Sequence, residues 1–429
     1  MRKLFQAMML SHLLLLPDQI FSWANHYLFY YPALTALPEI KSAQEVSIES
    51  LETFVDKEKD SLKMVLAEIE KSAALKLSYY VPFPQNLSCD LSNKKTAREC
   101  FLKTLRVNPT VPLGYFIQTA PGAQSFLPVA RDKDISIFGE KDIQGRYFYR
   151  EVKVGSKVRP LDVLATAGDE PDFGLDIHLF SDNGKSFGAE YGFGQQPFGD
   201  PKLYYSSQAP FHMGFYHEST LVMLFAGFLK KTLPEFRVHQ FLSLARFAFK
   251  SGHDYWGYRF LGWALHYAGD ITQPYHARVL PGLSSLSMIW INLKAMLGFD
   301  TDKKNAVENV SNRHIALENY HYALMRQALT EKNPTNRYFL ALSDLSVDAS
   351  IPGYSDDFFR HVLARESSAR ANRINEIITS ASLVQSFKDS NSLENRNAKA
   401  LAELDTELEK MMRTIGGQLR QFVRAGIAR

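Results

Sequence analysis

The chain has 429 residues, of which 45% are hydrophobic and 22% charged, enough for a globular body with two or three domains' worth of core. Its 49 basic and 46 acidic residues leave a formal net charge of +3. That near balance provides no basic field of the kind that holds duplex nucleic acid.

The first residues read as a targeting segment. Arg2 and Lys3 are followed by an apolar stretch from Leu4 to Leu16, then Pro17 and the small residue Ser22. This layout predicts a secretory signal peptide over residues 1–22, too short to span a membrane, and hence an exported protein, periplasmic or secreted. The alternative is an uncleaved apolar helix. No second long apolar span follows, so no transmembrane helix is expected in the mature chain. The two cysteines, Cys89 and Cys100, form a close even pair, and in an exported protein they predict one disulfide closing a short loop.

Periodicity predicts an amphipathic helix over Ala43 to Leu77. Residues Tyr79 to Gly122, rich in Pro and Asn, are expected to be loop. Ile135 to Val158 alternates and predicts a small hairpin turning at Gly145. Gly168 to Pro210 is dense in Gly, Pro, Asp and Asn and predicts a long irregular surface loop. Helical runs follow over Thr220 to Lys231, Phe236 to Lys250, Tyr255 to Gly269 and Asn305 to Leu329. The charged tail from Asp357 to Arg429 is also helical, interrupted near Asp389 to Ser392. The expected fold is mainly α with a small β insertion. Its divisions are a catalytic domain over 23–330, with insertions at about 79–210 and an apolar one at about 280–300, and a helical C-terminal extension over 331–429.

The segment Leu265-His-Tyr-Ala-Gly-Asp-Ile-Thr-Gln-Pro-Tyr-His-Ala277 carries the chemistry. His266 and Asp270 are four apart, which puts both on one helix face one turn from each other. Gln273-Pro274 ends that helix and His276 follows. His314 and Glu318 repeat the four-residue spacing on a second helix. Two such pairs on facing helices form a cage for a divalent ion, and imidazole plus carboxylate without thiolate suits zinc. Either pair alone is commonly a surface hydrogen bond; the whole string is more specific.

The string Leu265-His266, Gly269-Asp270 and Gln273-Pro274-x-His276 closely resembles the signature of the zinc-dependent phospholipases C, whose helical fold and metal cluster are shared by fungal single-strand nucleases. The resemblance implies three zinc ions held by nine residues. It assigns one ion to Asp172, His212, His266 and Asp270, a close neighbour to Trp23, His26 and a shared Asp270, and the third to His276, His314 and Glu318. Trp23 would act through the amino group freed by signal removal. Asp172, within Pro171-Asp172-Phe173, is preferred to Asp169, and His212, after Phe211, to His217. The same likeness gives Asp172 either a general-base role or a ligand role alone, and Phe173 either a cation–π contact with a headgroup or core packing.

The activity implied is hydrolysis of a phosphodiester, most directly phospholipase C cleavage to diacylglycerol and a phosphorylated headgroup. The apolar insertion Leu280 to Phe299, with Lys294 its sole charge, fits an element entering a phospholipid or membrane surface, or else an ordinary buried helix. No basic stripe with interleaved aromatics points to a stable nucleic-acid complex. A single-strand nuclease or 3′-nucleotidase of the same fold, and a non-catalytic metal-stabilised interaction protein, are the alternatives. The remaining histidines His239, His253, His321 and His361 read as ordinary, and Asp176 and His178 as caps of local turns.

Overall fold

A computed structural model describes residues 25–87, 89–120, 122–138, 148–333, 335–384 and 397–428. The leader, Trp23, Gly145 and the interruption near Asp389 lie outside the described residues. The fold is mainly α, 62% helix against 3% strand.

Helix α1 (Tyr27–Thr35) is almost wholly buried. Two residues of strand, β1 (Val46–Ser47), precede α2 (Leu51–Lys76). Helix α2 starts where Ser50 accepts a hydrogen bond from the Thr53 amide at 3.1 Å, an N-cap in an otherwise charged segment. Its apolar face (Leu51, Phe54, Val55, Leu62, Leu66, Ile69, Ala73) turns inward at helical spacing. Next come α3 (Ala97–Thr104), β2 (Phe116–Gln118), β3 (Tyr149–Glu151), β4 (Lys157–Val158) and α4 (Pro160–Ala167). A disulfide joins Cys89 to Cys100, as the pair of cysteines predicted.

The predicted hairpin over 135–158 is not how the strands pair. β3 pairs antiparallel with β2, Ile117 opposite Arg150, and β4 pairs with β1, Val46 opposite Val158. Alternation marks a strand but says nothing about its partner, and both partners here lie earlier in the chain.

The centre is a helical hairpin, α7 (Pro234–Lys250) and α8 (Asp254–Asp270). It follows two shorter helices, α5 (Tyr204–His212) and α6 (Thr220–Phe225). From Leu261 to Asp270 every residue of α8 is buried, as expected of a helix surrounded on all sides. Beyond it lie the turn α9 (Pro274–Ala277), α10 (Ser285–Met296) and the long α11 (Thr301–Thr330). Helices α12 (Arg337–Ser343), α13 (Arg365–Ser380) and α14 (Ala398–Ile427) form the C-terminal part. They share one contiguous apolar core with α1 and α8, which includes Tyr27, Trp263, Leu419 and Phe422. Buried Arg420 fastens α14 there, its Nε 2.9 Å from Asp348 and its Nη2 donating to the Asp344 carbonyl at 2.6 Å.

The segment after Gly168 is irregular as predicted, but its first part is not on the surface. Asp169, Glu170, Asp172 and Asp176 are all less than 9% exposed. Two buried arginines of the central hairpin hold it inside. Arg259 donates to Glu170 at 3.0 Å, and Trp263 donates to the same carboxylate at 2.6 Å. Arg237 donates to Asp176 at 2.9 Å and to the carbonyls of Leu105 and Arg106. Composition reads such a segment as solvated; the pairing of Asp169, Glu170 and Asp176 overrides it. Among the described residues no helix is long and apolar enough to cross a membrane.

Candidate metal centre

The C-terminal end of α8 sets the centre. His266 and Asp270 project from the same face one turn apart, with His266 Nε2 3.2 Å from Asp270 Oδ2. The close approach of α1 explains the glycine between them. Tyr30 donates its hydroxyl to the Leu265 carbonyl at 2.7 Å, and a Cβ at Gly269 would fall on that hydroxyl. Gln273 ends the helix and begins the next turn by accepting from the Tyr275 amide at 2.6 Å, while its amide donates to Glu318 at 3.1 Å. The motif residues that are not candidate ligands therefore hold the ones that are.

Three groups of buried side chains converge here: His26, His266 and Asp270; Asp172, His212 and His266; and His276, His314 and Glu318. Within each group one ligand atom per residue lies within 4.8 Å of the others. Asp270 stands between two histidines, Oδ1 2.9 Å from His26 Nε2 and Oδ2 2.7 Å from His212 Nδ1. Asp172 Oδ1 is 3.6 Å from His266 Nε2 and 3.8 Å from His212 Nδ1. In the third group His314 Nε2 lies 3.1 Å from His276 Nε2 and 2.6 Å from Glu318.

Hydrogen bonds behind the rings decide which nitrogen faces inward. His266 Nδ1 donates to the Gly168 carbonyl at 2.6 Å, and His276 Nδ1 donates to the His212 carbonyl at 3.0 Å. Each bond leaves Nε2 with a lone pair aimed into the cluster, the usual arrangement behind metal-bound imidazoles. Asp172 Oδ1 is buried without a hydrogen-bond partner among the described residues, whereas His26 Nδ1 and His212 Nε2 each face a carboxylate at 3.5 Å, Asp169 and Asp176. A buried carboxylate oxygen left so, among imidazole nitrogens, is one a cation would satisfy. The donor chemistry and this pattern fit bound divalent ions.

The electrostatics reflect crowding of acids and imidazoles. Burial opposes charge on His26, but Asp169, Asp270 and Asp172 outweigh it and raise the ring to about 10. Burial likewise opposes charge on His212, and Asp176, Asp270 and Asp172 raise it to about 10. Asp270 sits well below the usual carboxylate range, since His266, His212 and His26 overcome its burial. Burial lifts Asp172 and Glu318 and pushes His276 well down, leaving that imidazole neutral.

Of the residues singled out from sequence, eight come together: His26, Asp172, His212, His266, Asp270, His276, His314 and Glu318. Trp23 lies outside the described residues. His217 is not among the converging groups; its Nε2 is 2.7 Å from the Arg360 carbonyl. Phe173 is half-buried, its ring edge-on to Tyr149 at 5.8 Å, a packing contact.

Two further acids frame the centre. Asp169 accepts from the His26 amide at 2.5 Å and from the Gln118 side chain, fixing the start of α1 beside the cluster. Asp176 does not cap a turn. It is fully buried, accepts from Tyr267 at 2.5 Å and lies 3.5 Å from His212 Nε2. Its partners are 61 and 91 residues away in the chain, so no local pattern could reveal them. His321 is buried beside Phe29, and burial, then the charge on His26, pushes it down to about 3. It belongs to none of the three groups, in keeping with its reading as an ordinary histidine. Comparison of the chain with protein-family models, with curated proteins and with solved structures gave no match.

Proposed function

We propose that this protein is an exported zinc-dependent phosphodiesterase that cleaves phospholipids in the manner of a phospholipase C. The observation that carries the reading is the convergence of eight His, Asp and Glu side chains from distant stretches, with Asp270 between His26 and His212. Imidazole and carboxylate donors favour zinc, and both cysteines are committed to the disulfide. That disulfide also favours an oxidising compartment.

Asp172, His212, His266 and Asp270 would hold one ion, His26 and Asp270 its neighbour with the amino terminus of Trp23, and His276, His314 and Glu318 the third. Bound there, the ions would supply positive charge to a phosphate's oxygens and acidify a water. The protein's own part is orientation and proton handling. Arg259 and Trp263 clamp Glu170, two residues from Asp172, so that Asp172 Oδ1 faces the cluster. Asp172 Oδ1, beside His266 and His212 and without a hydrogen bond of its own, is the carboxylate placed to take a proton from an attacking water.

A lipid substrate is favoured by the surface beside the third group. Half of the large apolar side chains exposed among the described residues lie between Leu221 and Phe299, including Leu224, Leu286, Trp290 and Leu297. A patch of this kind marks an interaction surface. The test is metal analysis and N-terminal sequencing of the exported protein, with assays on phosphatidylcholine vesicles and on single-stranded DNA, with and without chelator. Three zinc equivalents, Trp23 as first residue and chelator-sensitive release of phosphorylated headgroup are expected. Faster cleavage of DNA would move the assignment to a nuclease, and metal-loaded protein inert on both would overturn it.

A further inference from the structure

An apolar cavity of about 130 Å³ lies between α6, α10 and the first half of α11. One stripe of α11 forms its floor, from Lys303 through Val307 and Val310 to His314. These positions fall on one helix face and span about 16 Å at 1.5 Å per residue. His314 is thus shared: the same residue belongs to the third ligand group and closes one end of the cavity. The opposite wall comes from Phe215, Phe228 and Met288.

Two polar side chains in the lining donate within their own helices. Asn292 donates to the Met288 carbonyl at 2.9 Å, and Ser311 donates to the Val307 carbonyl at 2.9 Å. Apart from His314 at one end and Lys303 at the other, the walls are almost wholly apolar. The far end carries Lys303, half-buried and with no ion pair among the described residues, whose stem can lie along the wall with its ammonium toward water. An apolar cavity near 150 Å³ stays dry and takes up a small hydrocarbon. The space here is too small for a helix or a peptide strand with side chains.

We infer that this cavity binds a single acyl or alkyl chain, entering beside His314 and running along α11 toward Lys303. That the chain belongs to the substrate rests on the phospholipase reading; that the cavity takes a chain does not. One chain of a two-chain phospholipid would lie here while the phosphodiester sits at the ligand groups, and the second chain would remain at the exposed face of α6 and α10. The site would then choose substrates by the length of one chain.

The experiment titrates the full metal-loaded protein with a fluorescent polyene fatty acid, which is then displaced by alkylphosphocholines of increasing chain length. The same titrations are run on Ala306→Phe and Val310→Trp, which fill the cavity at two positions, and on Leu340→Ser as a remote control. Thermal unfolding identifies any variant that has not folded, and the other then decides. Saturable binding that tightens with chain length and weakens by about tenfold on filling, the loss of roughly two buried methylene groups, is expected. Binding that is independent of chain length or untouched in a folded filled variant overturns the inference. Parallel assays on short soluble phosphatidylcholines separate the two readings. Hydrolysis without chain binding would sink the cavity site and leave the phospholipase standing. Chain binding without hydrolysis of any lipid would do the reverse.

Discussion

The candidate metal centre and the α6–α10 face invert the usual placement of residues, in opposite senses. At the centre, acids and histidines are buried to a few per cent exposure inside the main apolar core. At the face, Leu224, Leu286 and Leu297 are more than 70% or about 70% exposed, over a small separate core that includes Phe198, Phe215, Val222 and Met288. A buried polar cluster and an exposed apolar patch are the two departures from ordinary burial that carry information. In the first, His26, His212, His266, Asp270, His276 and Glu318 are each held by a partner from another element. The second presents its apolar side chains to solvent.

The comparison breaks first, and most visibly, at Asp270. Asp270→Ala should remove the link between His26 and His212 and lower turnover by more than about 100-fold, since even partners behind metal ligands commonly cost 10–100-fold. Metal content by plasma emission should fall with it; full metal occupancy in that variant would contradict the shared-ligand role.

Asp176→Ala leaves Arg237 buried without its acid, and removal of one partner of a buried pair costs about 3–5 kcal/mol. Urea unfolding should report that loss. A change below about 1 kcal/mol would mean that the segment after Gly168 is not held as described. Gly269→Ala drives a methyl group onto the Tyr30 hydroxyl and should cost about 1–3 kcal/mol, the range for overpacking. Combining it with Tyr30→Phe, which removes the oxygen it strikes, should return part of the stability.

The exposed face should respond the other way. Trp290→Ser is expected to move unfolding by no more than about 0.5 kcal/mol, as for surface positions generally. Its partition onto phosphatidylcholine vesicles should nevertheless weaken by more than about tenfold, since an aromatic side chain entering lipid contributes about 1.5–3 kcal/mol. Sedimentation with vesicles measures this, and unchanged binding would reduce the patch to packing surface.

What could be read from the sequence was local. The His266–Asp270 and His314–Glu318 pairs were legible because a helix places i and i+4 on one face wherever it sits. The helices over 236–250 and 255–269 were legible for the same reason, and the apolar run over 280–299 by its composition. A close pair of cysteines pointed to the disulfide. Tertiary structure alone decided the rest. It buried the segment after Gly168, because Arg237 and Arg259 reach it from another part of the chain. It gave β3 and β4 partners from earlier in the chain, because strand pairing is set by contact rather than by alternation. It brought His212 to Asp270 and left His217 at a carbonyl, and it made Asp169 and Asp176 part of the centre's frame. Spacing along a helix is a property of a few consecutive residues, whereas a hydrogen bond between residues 60 or 90 positions apart exists only once the chain has closed on itself.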